Sequence, residues 1–88
     1  MKFAVIDGAS VTSMEDIHKT LARQLDFPDW YGGNLDALHD CLTDLHEETE
    51  VSIVHADALL ETLGPAYVRL TRVLSDAAEE NPYLKLHL

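Results

Sequence analysis

Three short β-type runs, Lys2–Ile6, Val51–Ala56 and Tyr83–Leu88, stand far apart in a chain of 88 residues, and the stretches between them read with helical period. Strands so separated cannot form hairpins with one another. Strands joined through helical crossovers run parallel, so the expected fold class is α/β, a single small domain over residues 1–88. The first run ends in Asp7-Gly8 and reads as a buried strand followed by a turn. In the last, Leu84, Leu86 and Leu88 share one face, the pattern of a half-buried strand.

The helical segments carry their own punctuation. Ser13-x-x-Asp16 resembles a capping box and opens a run with Met14, Ile17, Leu21 and Leu25 on one face, which must end before Pro28. Asn34 is a good N-cap for a second helix, striped by Leu35, Leu38, Leu42 and Leu45. Asp57–Leu63 forms a short helix stopped by Gly64-Pro65. Pro65 then begins a longer one, with Ala66, Leu70, Val73, Leu74 and Ala77 inward and Asn81-Pro82 at its end.

Charge is distributed unevenly. Six Lys+Arg against sixteen Asp+Glu give a formal net charge of −10. Residues 24–68 contain no lysine or arginine and ten acids, so this segment alone supplies the whole excess. A field of that sign repels phosphate and anionic lipid, which disfavours direct nucleic-acid or membrane binding; it attracts a cationic surface or a metal ion. Acidity also serves solubility, and composition does not separate these uses. The single cysteine, Cys41, permits no intrachain disulfide, and no apolar stretch resembles a signal peptide or a membrane span. A reducing, cytoplasmic location is expected.

The second helix is where local preferences conflict. Asp36, Asp40 and Asp44 recur at i, i+4 and i+8 opposite the leucine stripe, with His39 and Thr43 beside them. Like charges at that spacing each cost a few tenths of a kcal/mol. Three readings compete: a solvated face, a divalent-metal site built from Asp36, His39 and Asp40, or a docking surface for a basic partner. The preceding loop, Trp30-Tyr31-Gly32-Gly33, favours docking, since aromatic residues beside charge are the usual material of interface hot spots. One of the two aromatics is expected to pack inward and the other to face out. No G-x-x-x-x-G-K pattern surrounds the glycines, and Cys41 falls beside the leucine stripe, as a small core residue rather than a nucleophile partnered by His39 or His46. No enzyme activity and no cofactor are expected. If His39 faces a basic partner, its protonation weakens association as pH falls from 8 to 6.

The run from Pro28 to Thr43, with Pro28, Tyr31, Gly32, Asn34, Leu35, Asp36, Ala37, Leu38, Asp40 and Leu42 in place, resembles the barstar-type ribonuclease inhibitors, whose signature is P-x-x-Y-G-x-N-L-D-A-L-x-D-x-L. The resemblance implies a three-stranded parallel sheet with packed helices. It also implies an intracellular inhibitor, a monomer that plugs the active site of a small, basic, barnase-like ribonuclease or a related nuclease toxin in a 1:1 complex. In that family the aspartate matching Asp40 takes the place of a substrate phosphate. Gly32, Asn34, Leu35, Asp36 and Thr43 fall on contact positions, Trp30 replaces a stacking aromatic, and Asp76 aligns with a further acidic contact. His39 stands where the type member has tryptophan, and Gly33 and Asp44 also depart from it, which bears on the choice of partner. The competing expectation is an acidic adaptor or metal-binding domain with no nuclease partner.

Overall fold

A computed structural model describes all 88 residues. The order of elements is β1 (Lys2–Asp7), α1 (Met14–Gln24), α2 (Leu35–Thr43), β2 (Thr49–Val54), α3 (Ala56–Leu63), α4 (Pro65–Glu80) and β3 (Leu84–His87). The sheet order is β1-β2-β3 and both pairings are parallel, Lys2 opposite Thr49 and Thr49 opposite Leu84. The α/β class and the parallel three-stranded sheet are therefore as expected.

Ala4, Ile6, Val51, Ile53 and Leu84 face the helices and join Ile17, Leu21, Leu25, Leu38, Leu42, Leu59, Leu70, Leu74 and Ala77 in one contiguous core. The helical layer covers only that face. Phe3 and Val5 point the other way and are 59% and 47% exposed, so β1 is half-buried and not the fully buried strand its apolar run implied. Two crossovers packed on one side of three strands leave the opposite side to solvent, unlike most parallel sheets.

Boundaries differ in places. β2 begins two residues earlier than its apolar run, because Thr49 is fully buried and donates its hydroxyl to Glu47 O at 3.0 Å. The strand also ends earlier, since His55 adopts a left-handed φ of +54° and turns the chain into α3. His55 Nδ1 lies 2.9 Å from Asp7 Oδ1, joining the ends of β1 and β2. Gly8 is required there: a Cβ would fall 2.2 Å from His55 O, a backbone atom that cannot move aside. In β3, Leu84 is buried and Leu86 half-buried, whereas Leu88 is exposed beyond the last paired residue.

Ser13 caps α1, accepting from Asp16 N at 3.2 Å. The reciprocal half of the capping box is shifted by one residue: the Asp16 carboxylate accepts from Thr12 N at 3.0 Å and from the Thr12 hydroxyl. Pro65 occupies the first turn of α4 as expected, while Ala66, assigned to its core face, is only half-buried.

Candidate functional site

A nine-residue helix is too short to persist alone in water, so α2 depends on its anchors. Asn34 holds extended backbone at the N-cap, and its Oδ1 accepts from Ala37 N at 2.8 Å. Leu38 and Leu42 are fully buried and Cys41 is 5% exposed. At the other end, Asn81, buried after α4, donates from Nδ2 to Leu42 O at 2.9 Å and Leu45 O at 3.0 Å. Leu42 lies in the last turn of α2 and Leu45 just beyond it, so Asn81 ties down the C-terminal end of the helix and the chain that leaves it. Leu35, between the two roles expected of it, is half-buried against the core.

The loop before α2 is braced from below. Tyr31 packs on Phe27, with ring centroids 5.0 Å apart, and its hydroxyl lies 2.5 Å from Nδ1 of His18 on α1. Burial lowers the His18 pKa and pushes Tyr31 up to about 12, so a protonated phenol donates to a neutral imidazole. Trp30, the next residue back, is 68% exposed. One aromatic packs inward and one outward, as expected. Trp30 and Asp44 line the same shallow groove over Cys41, which brings the aromatic beside the last acid of the ladder. Gly33 takes φ of +66°, a left-handed turn into the N-cap. At Gly32 a Cβ would crowd Asn34 Nδ2 at 3.2 Å, disturbing the cap itself.

On the outer face Asp36, Asp40 and Asp44 are exposed, and none pairs with a lysine or arginine. Two of the lysines are engaged elsewhere: Lys2 with Leu25 O at 3.0 Å and Glu47 at 3.5 Å, Lys19 with Glu15 at 3.1 Å. Thr43 turns its hydroxyl back onto its own helix, donating to His39 O at 2.9 Å. Asp44 sits at the C-cap, where the negative end of the helix dipole disfavours a carboxylate.

His39 does not stand free between two aspartates. Its Nε2 pairs with Glu80 on α4, and its Nδ1 lies 3.9 Å from Asp40 Oδ1. The hydrogen bond to Glu80 raises its pKa, opposed by partial desolvation and reinforced by the charges of Glu80, Asp40 and Asp76. Asp76 is thereby brought onto the same surface, so the acidic face spans α2 and α4. No three His, Cys, Asp or Glu side chains converge to hold a metal ion, and Asp36, His39 and Asp40 do not form the ligand cluster their spacing allowed. Burial raises the Cys41 pKa, with Asp44 and Asp40 adding to it, which leaves a protonated thiol and a poor nucleophile.

Sequence reasoning missed three supports of this surface. Glu80 and Asn81 act across about forty residues of chain on α2, and no local pattern signals such contacts. His18 had a signal, its place on the buried side of α1, though not its partner.

The family model described as Barstar (barnase inhibitor) matches residues 1–86. The chain belongs to the barstar family. A protein of Bacillus subtilis (strain 168) named "Putative ribonuclease inhibitor YrdF" is 54% identical over 43 residues, 49% of this chain and 47% of that protein. The barstar-family chain thus spans about half the length of this relative in the matched region. Barstar-family proteins are inhibitors and not enzymes. No helix of this barstar-family chain is long and apolar enough to cross a membrane.

Proposed function

We propose that this chain inhibits a small, basic, barnase-like ribonuclease, or a related nuclease toxin, by seating α2 and the loop before it in the enzyme's active-site cleft. The observation that carries the reading is the rigid helix presenting Asp36, Asp40 and Asp44 with no internal lysine or arginine, beside an exposed Trp30. A cleft that binds RNA holds fixed cations spaced for phosphates. Carboxylates already ordered on an anchored helix satisfy those cations at little entropic cost. Asp40 takes the place of a phosphate, with Asp36, Thr43, Asp44 and Asp76 around it. Trp30, Gly32, Asn34 and Leu35 shape the approach. In the cytoplasm of the producing cell a monomer would act as an immunity protein or antitoxin, in a 1:1 complex.

The test is a titration of a small basic guanyl-specific ribonuclease with the chain, read by RNA cleavage. Activity should fall to zero at one equivalent. Truncating one partner of a desolvated charge pair costs about 2–5 kcal/mol, so Asp40→Ala should weaken inhibition roughly 30-fold to several thousand-fold, mainly through faster dissociation. Full ribonuclease activity under a large excess of the natural chain would overturn the proposal.

A further inference from the structure

The pairing of His39 with Glu80 ties the docking helix to α4 in the middle of the acidic face. The charged groups facing this imidazole are Asp40 on α2, and Asp76 and Glu80 on α4; no lysine or arginine is among them. Those three carboxylates carry a formal charge of −3 when the imidazole is neutral, and the group as a whole carries −2 when it is protonated. We propose that Glu80 is a positioning residue of this surface: by holding His39 it makes docking of a cationic partner proton-linked, so that the complex is weaker when the pair is protonated.

The inference rests on the proposed inhibition and adds its regulation. A partner that brings cations against Asp40 and Asp76 disfavours a proton on the imidazole between them. It also competes with protonated His39 for Glu80. Coupling between two binding events is reciprocal, so a partner that expels the proton must bind less well when the proton is present. Loss of the proton leaves at most a neutral hydrogen bond on Glu80, so its carboxylate meets a cation of the partner more readily. Acidification therefore turns the contact into an ion pair and offsets the charge of one carboxylate on the docking face.

Two measurements test this. In the chain alone, NMR of the His39 ring against pH should give a midpoint above the ordinary imidazole value in the natural sequence and a lower one in Glu80→Gln. Equal midpoints would overturn the role of Glu80. Affinity for a small basic guanyl-specific ribonuclease is then measured by calorimetry at pH 8 and pH 6 for the natural chain, His39→Gln and Glu80→Gln. Titrating groups of the ribonuclease affect all three alike. The natural chain should weaken at pH 6 roughly tenfold more than His39→Gln does, the linkage expected if docking lowers the imidazole pKa by about one. Glu80→Gln should move the midpoint of the pH dependence downward, which a merely structural role would not do. Equal pH dependence in the natural chain and His39→Gln, or tighter binding at pH 6, overturns the inference and leaves inhibition standing. Absence of binding at both pH values overturns both.

Discussion

Leu38 and Leu42 face the core with no exposed surface, whereas Asp36, Asp40 and Asp44, away from that face, are exposed and form no ion pair with a lysine or arginine. Each buried leucine contributes about 1.5–3 kcal/mol, and each like-charge repulsion removes only a few tenths. One face can therefore hold the helix in place while the other keeps a charge pattern that does nothing for stability. The same division recurs in the preceding loop, where Tyr31 is fixed to His18 and Trp30 is left outside.

The sharpest way to break this comparison is to exchange the effects of the two faces. Leu42→Ala should destabilise the fold by about 2–5 kcal/mol in urea unfolding, through lost burial and the cavity left behind. Asp40→Ala should leave the urea midpoint almost unmoved, while costing inhibition as described above. If Asp40→Ala proved strongly destabilising, the outer face would be structural and the division false.

Asn81 tests whether the two faces are coupled. Asn81→Ala leaves the carbonyls of Leu42 and Leu45 without their side-chain donor and should cost about 1–3 kcal/mol of stability. Because Leu42 lies in the last turn of α2 and Leu45 just beyond it, affinity for the ribonuclease should fall as well, although Asn81 itself is buried. A smaller effect is expected in the loop: Tyr31→Phe removes one hydrogen bond to His18 and should cost about 1 kcal/mol in urea unfolding. Trp30→Ala should change stability less than that, since its ring is largely in solvent.

The elements that were legible in the sequence are those whose signals are local. Asn34 and Ser13 mark helix starts through hydrogen bonds made within one turn, Pro65 marks one through its fixed φ, and the stripe of Leu38 and Leu42 declares its buried face by spacing alone. The acidic ladder was legible for the same reason, because i, i+4 spacing suffices to place Asp36 and Asp40 together. Harder to read were features decided by what packs against them. Phe3 and Val5 look buried in sequence and are exposed because no helix crosses their side of the sheet. Thr49 lies outside the apolar run that begins at Val51 and is buried because β2 is the central strand, paired on both sides. The partners of His39 and of the α2 carbonyls lie about forty residues away, and only the packing of α2 on α4 brings them together.

Two histidines carry the comparison into pH, with opposite signs and the smallest expected effects. Burial lowers the pKa of His18 below its ordinary value of 6.5. Above that value His18 is neutral in both folded and unfolded chains; below it the unfolded chain binds the proton first, so stability falls until the pH reaches the folded value. For His39, held by Glu80, the folded pKa is raised. Its contribution is complete below 6.5, where both states are protonated, and is lost as pH rises through the folded value. Stability should therefore decline on both sides of about pH 6.5, the acid arm owing to a residue that braces the loop from inside and the alkaline arm to one on the docking face. Urea midpoints between pH 5 and 8 measure both arms. His18→Gln should flatten the acid arm alone and His39→Gln the alkaline arm alone. A single substitution that flattened both would mean that the buried side of the loop and the acidic face titrate as one unit.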